Sequence, residues 1–462
     1  MKDQVKQIHF VGIGGVGMAG IAEVCLNLGY VVSGSDLKHN PTVARLESLG
    51  ALIQLGHEAN HVKNTDVVVV STAIAAGNPE VDWARNTRIP VIPRAEMLAE
   101  LMRMRFGIAI AGTHGKTTTT SLAAAVLTQG GIDPTFVIGG KLNQVGSNAR
   151  LGSSRYLVAE ADESDASFLH LSPMMSVVTN IDEDHMETYQ GDYQNLENTF
   201  IEFIHRLPFY GIAIMCIDDK NIQNLLPKLS RKVMTYGFSE QADIRAINVK
   251  TTGLQMQFQV LIGRERSFDV TLNIPGKHNV LNALAAIAIG LKLDVSIEAI
   301  QQALIEFGGV GRRFEVYPDR VIGNHRVTLV DDYGHHPTEL EATISTAKEA
   351  FADKRLVLVF QPHRYTRTRD LFDDFVQALM GPDLVILLDV YAAGEMPLPM
   401  FDSKALLQAL RLRGGHGFYA DSLAQLDEIT KDVLQDDDVL LVMGAGDVGQ
   451  VAKNWQAIEE QD

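Results

Sequence analysis

Gly107-Ile108-Ala109-Ile110-Ala111-Gly112-Thr113-His114-Gly115-Lys116-Thr117-Thr118 decides the fold class of this 462-residue chain. The apolar run Gly107–Ala111 reads as a buried strand, and the residues after Lys116-Thr117, from Thr119 to Leu127, suit a helix. A strand that enters a glycine loop and leaves as a helix is the repeating unit of a parallel α/β layer. Amides of Gly112, Thr113, His114, Gly115 and Thr118 can cradle phosphate oxygens, the Lys116 ammonium can reach β and γ phosphates, and the Thr117 hydroxyl can ligate Mg²⁺. Ile110 stands where the strict phosphate-loop pattern has its first glycine. A tight turn with an exposed lysine is the alternative, but it gives Gly-Lys-Thr no packing purpose, so this loop is expected to bind ATP.

Working outward, short β-branched runs alternate with helical patterns along most of the chain. Strands are expected at Gln7–Val11, Val31–Ser33, Val67–Val70, Tyr156–Ala159, Ser176–Thr179, Val327–Val330, Leu356–Phe360, Leu384–Leu388 and Val439–Val442. Prolines in Ile89-Pro90-Val91-Ile92-Pro93 limit regular structure there, and a helix pattern follows over Arg94–Met104. Phe307-Gly308-Gly309-Val310-Gly311 reads as a hinge. Three α/β domains follow from this punctuation: 1–105, 106–311 and 312–462.

Two further glycine loops follow strands. Gly12-Ile13-Gly14-Gly15-Val16-Gly17 precedes a helical pattern, and Asp36 ends the next strand region. Alone, this is a dinucleotide fingerprint in which Gly14, Gly15 and Gly17 let the backbone approach a pyrophosphate and Asp36 meets a ribose, as in an NAD-dependent enzyme. Gly444-Ala445-Gly446-Asp447-Val448-Gly449 repeats the spacing after the last strand, where a tight turn is expected.

Carboxylates crowd the end of the Tyr156–Ala159 strand at Glu160, Asp162, Glu163 and Asp165. They repel one another unless a cation or donor pairs with them. Mg²⁺ beside ATP phosphates suits them; a solvated acidic loop is an equal reading for Asp162 and Glu163. His185, after Asn180-Ile181-Asp182-Glu183-Asp184, follows another strand end and is a candidate metal ligand or phosphate contact.

Forty basic against fifty-seven acidic residues give a net charge of −17, which argues against a nucleic-acid or anionic-membrane surface. Cys25 and Cys216 lie far apart in apolar stretches, so neither a disulfide framework nor a thiolate metal site is expected. No signal-peptide pattern opens the chain and no run reaches membrane-span length, so a cytoplasmic protein is expected.

Taken in order, Gly-Thr-His-Gly-Lys-Thr-Thr-Thr (112–119), Glu-Ala-Asp-Glu-Ser-Asp (160–165), Thr-Asn-Ile-Asp-Glu-Asp-His (179–185), Gly-Lys-His-Asn-Val-Leu-Asn-Ala (276–283), Gly-Arg-Arg-Phe (311–314) and Asp-Asp-Tyr-Gly-His-His-Pro-Thr (331–338) resemble the Mur ligases over nearly the whole chain. The resemblance implies a three-domain α/β architecture: a Rossmann-like domain for a UDP-sugar, a P-loop-type central ATPase domain and a Rossmann-like C-terminal domain. It assigns the first glycine loop to a UDP diphosphate rather than NAD, with His57 and Ser71 as further UDP-sugar contacts. It makes Lys116 the phosphate lysine, Thr117, Glu160 and His185 the metal ligands, and His278, Asn279, Asn282, Arg313 and Asp332 contacts of ATP.

Within that family, His335-His336-Pro337 and Gln361-Pro362-His363-Arg364-Tyr365-Thr366-Arg367-Thr368 look like the branch that adds L-alanine to UDP-N-acetylmuramate. Arg364 and Arg367, in a loop at the mouth of the Leu356–Phe360 strand, would take the amino-acid carboxylate, with Tyr333 and His335 beside it. The chemistry implied is phosphoryl transfer from ATP to a carboxylate, attack of an amine on the acyl phosphate, and proton uptake by His185 or His335. Closure about residues 308–312 would assemble the site and exclude water. A monomer or weak homodimer is expected. A branch that attaches a preformed tripeptide to the same sugar, and an NAD-dependent dehydrogenase, are the rival readings.

Overall fold

Residues 4–71, 73–142, 147–263 and 266–456 of the chain are described by a computed structural model. The first sheet gathers β1 (Gln7–Val11), β2 (Val31–Asp36), β3 (Leu52–Leu55), β4 (Val67–Val70) and β5 (Val91–Pro93) in the order β3-β2-β1-β4-β5, with every neighbouring pair parallel. The strand order reverses between β1 and β4, so the loops leaving these two strands diverge around a crevice at their carboxyl ends. Both the first glycine loop and Ser71 lie there. β5 corrects the expectation that prolines keep residues 89–93 irregular: it is an edge strand, where a missing N–H costs no ladder bond.

The second sheet has ten strands: β6 (Phe106–Ala111), β7 (Thr135–Leu142), β8 (Ser147–Arg150), β9 (Tyr156–Glu160), β10 (Met175–Val178), β11 (Ile212–Cys216), β12 (Lys232–Gly237), β13 (Ile244–Thr252), β14 (Gln255–Ile262) and β15 (Arg266–Leu272). Their order is β15-β14-β13-β12-β11-β10-β6-β9-β7-β8. β6 therefore lies between β10 and β9, parallel to both. The loop carrying Lys116 is consequently flanked by the loops that leave β9 at Glu160 and β10 at Val178. Ile108 to Ala111 are fully buried, and such continuous apolar runs are what a strand covered on both faces requires.

The third sheet orders β16 (Glu315–Ile322), β17 (His325–Asp332), β18 (Leu356–Phe360), β19 (Leu384–Leu388), β20 (Gly417–Ala420) and β21 (Val439–Met443) as β16-β17-β21-β18-β19-β20. Only the β16–β17 pair is antiparallel. Leu356, Leu358 and Phe360 enter one apolar cluster, while Val357 and Val359 enter the other on the opposite face, the period of two expected of a strand. Loops leaving β17, β21 and β18 are neighbours, which brings residues 333–336, 444–447 and 361–367 to one edge.

By contacts the chain forms two compact units: Met1–Asn248 with Phe258–Thr271 and Val280–Gly308, and Val249–Gln257 with Leu272–Asn279 and Gly309–Asp462. Cys25, on the helix Val16–Asn27, and Cys216, at the end of β11, are both buried, and burial pushes each thiol up to about 12. Among the described residues no helix is long and apolar enough to cross a membrane.

Gly34 sets how the first glycine loop lies on its sheet. A Cβ there would stand 2.6 Å from Ile13 Cδ1 and 2.9 Å from the Phe10 carbonyl oxygen, so the glycine makes room for the Ile13 side chain. Gly34→Ala should lower stability by about 1–3 kcal/mol, the usual cost of overpacking. Urea unfolding measures this, and an unchanged midpoint would mean that Ile13 repacks freely.

Candidate active site

The Lys116 loop is built by its neighbours. Thr113 N–H donates to the Asn180 carbonyl, and His114 N–H to Asn180 Oδ1 at 2.8 Å. The Thr179 hydroxyl and the Asn180 amide both donate to the His114 carbonyl. The loop is thus stitched to the chain leaving β10. Gly112, at φ +128°, has no room for a side chain, because a Cβ would lie 2.1 Å from Thr179 Oγ1. Gly115, at φ +81°, has Asn282 Oδ1 where its Cβ would be, and Thr119 donates to that same oxygen. Asn282 therefore supports the loop from behind. Ile110, in the place of the missing glycine, is buried strand, and the turn begins only at Gly112.

Lys116 opens the helix Lys116–Gln129. Its ammonium donates to the Gly112 and Thr113 carbonyls at 2.7 and 3.1 Å, and pairs with Glu163 at 2.7 Å. Burial would lower this ammonium, but Glu163, Asp162 and Glu160 overcome it and raise it above its ordinary value. Burial pushes the Glu163 carboxyl up, to about 7, against the attraction of Lys116. The acidic stretch is therefore no solvated loop at Glu163, which is 3% exposed. Asp162 pairs with Arg94 at 3.2 Å, and the same guanidinium approaches Gly17, so Arg94 stands between the two glycine loops of this unit.

Thr120 and Ser121 turn their hydroxyls back to helix carbonyls, whereas the Thr117 hydroxyl makes no hydrogen bond among the described residues. It and the Glu160 carboxylate, one oxygen of which accepts from Gly139 N–H, are the hard oxygen donors that Mg²⁺ takes. His185, at φ +55°, lies 3.4 Å from Asp184 and offers a nitrogen. The donor types fit the metal expected beside a triphosphate.

At the first loop, Gly14 N–H donates to Asp36 Oδ2 at 2.8 Å, and Gly12 and Ile13 N–H both donate to the Ser35 carbonyl. The Asp36 carboxylate thus braces the loop itself, a use the sequence reading did not foresee. Gly15 is exposed. His57 does not stand alone: its Nδ1 lies 3.0 Å from Ser35 Oγ and 3.1 Å from Glu80 Oε2. Ser71 is partly exposed at the end of β4, its carbonyl accepting from Ile74 N–H.

In the second unit, Arg313 follows Arg312 and precedes Phe314, both left-handed at φ +57° and +51°. Phe314 N–H and Gly334 N–H donate to the two oxygens of Asp332, so this buried carboxylate pins the chain around Arg313. Burial raises Asp332, against the pull of Arg313. The Arg313 guanidinium lies 5.1 Å from the Tyr333 ring centre, and Tyr333, His335, His363 and Tyr391 form a chain of ring contacts at 5.3–5.5 Å. The Asn279 side chain donates to the Pro275 carbonyl, and His278 packs over Gly276.

Arg367 lies within the short helix Tyr365–Asp370 rather than in a loop, which corrects the sequence expectation; Arg364 caps that helix at φ +70°. Arg367 is buried against His363, and Arg369 pairs with Asp370, so these guanidiniums are not left to repel one another. The Arg364 guanidinium makes no hydrogen bond or ion pair among the described residues. The Gly444–Gly449 segment is the expected tight turn, with Gln361 and Tyr391 filling the space beside Gly446.

Glu163, Arg94, Glu80, His363 and Tyr391 enter the structure's account of these sites without having been assigned from sequence. Glu163 carried a visible signal in its acidic cluster; the others depend on crossings between elements. Glu80 is fully buried. Burial would raise its carboxyl, but His9, Ser35 and His61 hold it down at about 2. A carboxyl depressed from 4.5 stabilises the fold fully above pH 4.5 and loses that contribution as pH falls toward 2. Acid unfolding of Glu80→Gln should therefore be shallower than that of the unaltered chain across that window, and parallel curves would contradict the assignment.

The chain matches the Mur ligase family, catalytic domain, over residues 7–106, the Mur ligase middle domain over 110–290, and the Mur ligase, glutamate ligase domain over 312–446. It is 77% identical over 457 residues to UDP-N-acetylmuramate–L-alanine ligase of Hydrogenovibrio crunogenus, covering 99% of each chain. It is 56% identical to the ligase of the same name from Methylococcus capsulatus, over 97% of this chain and 96% of that one. Among solved structures it resembles UDP-N-acetylmuramate–alanine ligase from Thermotoga maritima, with a TM-score of 0.82, 29% identity, and coverage of 97% and 98%. A murein peptide ligase from Psychrobacter arcticus is similar at a TM-score of 0.72 and 25% identity, covering 98% of this chain and 100% of that one. On this sequence similarity, which runs through all three sheets, the chain belongs to the Mur ligase family.

Proposed function

We propose that this chain is an ATP-dependent ligase that joins L-alanine to the carboxylate of UDP-N-acetylmuramate in the synthesis of peptidoglycan precursors. The 77% identity to the Hydrogenovibrio ligase, end to end, carries this reading. The murein peptide ligase of Psychrobacter arcticus stands further off, at 25% identity. Segments 1–105, 106–311 and 312–462 serve the nucleotide sugar, ATP and the amino acid respectively.

A carboxylate and an amine form a salt at neutral pH, so the carboxylate must first gain a leaving group. Its oxygen bonds to the γ-phosphorus of ATP, the β–γ bridge breaks, and ADP departs. Lys116, together with the amides of residues 115–118, holds the transferring phosphoryl oxygens, whereas the Thr113 and His114 amides, expected from sequence to join them, are taken by Asn180. In the structure Glu163 occupies the ammonium, so a triphosphate exchanges one anion for another around a charge that is already in place. Thr117, Glu160 and His185 would hold Mg²⁺, which would supply further positive charge to offset the repulsion of the two anions.

The amine of L-alanine then attacks the acyl carbon, the C–O bond to phosphate breaks, and the amide forms. A proton leaves the nitrogen to an imidazole. His335 is suited to take it: Nδ1 lies 3.2 Å from the Tyr333 carbonyl, which only accepts, so Nδ1 bears the hydrogen and Nε2 is the basic nitrogen. Arg364 takes the amino-acid carboxylate, beside the ring chain Tyr333-His335-His363.

Phosphate release from ATP, with Mg²⁺, UDP-N-acetylmuramate and either L-alanine or a tripeptide, tests the reaction. Stoichiometric release with L-alanine and the matching product mass are expected; release with tripeptide alone would overturn the reading. Lys116→Met should lower kcat about a thousandfold or more, since it removes a preorganised charge from the transferring group. Arg364→Ala should raise the KM for L-alanine about tenfold or more and leave that for ATP nearly unchanged. An unaltered alanine KM would remove Arg364 from the site.

A further inference from the structure

Glu80 opens the helix Pro79–Asn86, whose cap Asn78 accepts from Glu80 N–H and Val81 N–H. Its carboxylate has no exposed surface, yet it lies between groups drawn from three strands' ends. Ser35 Oγ, on β2, donates to Oε2 at 2.6 Å. His57 Nδ1, beyond β3, lies 3.1 Å from the same oxygen, and His61 Nδ1 lies 2.6 Å from Oε1. His9 Nε2, on β1, lies 3.7 Å from Oε1 and has no hydrogen-bond partner. A carboxylate only accepts, so His57 and His61 both present Nδ1–H to it. The Nε2 atoms of both rings are thereby directed away from Glu80.

The same Ser35 holds the first glycine loop. Its carbonyl accepts from Gly12 and Ile13, while the adjoining Asp36 accepts from Gly14. Backbone and side chain of one residue thus link the loop to the buried carboxylate. A purely structural role would ask only for a filled space under the helix, and Val11, Val62, Val68, Val81 and Ala84 already supply an apolar cluster there. Setting an acid among three imidazoles beside that cluster costs desolvation that leucine would not.

We propose that Glu80 is a positioning residue for the nucleotide sugar: it fixes Ser35, and through it the glycine loop, and it sets the His57 ring so that Nε2 is presented at the carboxyl edge of the first sheet. This rests on the reading that Gly14, Gly15 and Gly17 hold the diphosphate of UDP-N-acetylmuramate. The residue acts through others and touches no reacting atom.

Calorimetry of UDP-N-acetylmuramate binding without ATP, on the full chain, tests the proposal alongside steady-state kinetics and thermal melting. Glu80→Gln keeps the shape and removes the charge. Its affinity for the nucleotide sugar should fall about tenfold or more, and the corresponding KM should rise to match. At saturation kcat, and the KM values for ATP and L-alanine, should stay within about twofold. A variant that melts earlier but binds the nucleotide sugar unchanged would overturn the proposal, as would a loss confined to kcat.

Gly15→Ala separates this from the reading beneath it. Its methyl would lie 3.5 Å from the Gly12 carbonyl, an ordinary contact, on the surface that a diphosphate would meet. Unchanged affinity in Gly15→Ala would remove the diphosphate from this loop and the proposal with it. Weakened affinity in Gly15→Ala but not in Glu80→Gln would sink the role of Glu80 alone. Should Glu80→Gln not fold, Ser35→Ala removes one donor and leaves the carboxylate paired with the imidazoles. A rise of about threefold or more in the nucleotide-sugar KM is then expected, and no rise would overturn the proposal.

Discussion

An ammonium largely withdrawn from water needs anions around it, and the loops about Lys116 are arranged to meet that need. Lys116 emerges from β6, the strand with β10 on one side and β9 on the other. It is received by two carbonyls of its own loop and by Glu163 beyond β9. A charge taken out of water costs several kcal/mol unless it is compensated. Glu163 provides that compensation through the ammonium alone, while the Thr113 and His114 amides are taken by Asn180. Burial disfavours Glu163 as an anion, and the attraction of Lys116 works against that.

Three glycine loops in this chain are held in three different ways, each by its own neighbours. The loop at Gly112–Gly115 is held from the adjacent strand β10, through Thr179 and Asn180. The loop at Gly12–Gly17 is held from β2, through Ser35 and Asp36. At Gly444–Gly449 the space a Cβ would fill is taken by Gln361, Tyr391 and Arg312. The motif supplies backbone freedom; the flanking strand ends decide whether that freedom faces solvent or protein.

This is also why the sequence was legible where it was. Strand β1 and strands β4, β18 and β19 were read to the residue, because each is a short apolar run bounded by polar or glycine residues. The strand, glycine loop and helix around Lys116 were readable because their residues are consecutive. Misreadings fell where tertiary context overrides local signals: Val91–Pro93 is a strand because it is an edge, and Arg367 is helical and buried because His363 accepts from it. Glu80 was invisible, since nothing in Asn78-Pro79-Glu80 announces that Ser35, His57 and His61 converge on it from forty-five, twenty-three and nineteen residues away.

The two thiols mark separate layers of the molecule. Cys25 sits in the helix that follows the first glycine loop, and Cys216 at the end of β11 in the ten-stranded sheet. Both are shut away from solvent and shifted far from the thiolate range. A native chain therefore gives thiol-directed alkylating reagents no cysteine to attack. Any label that does appear clocks an opening of the backbone, and the peptide that carries it tells which sheet came apart first.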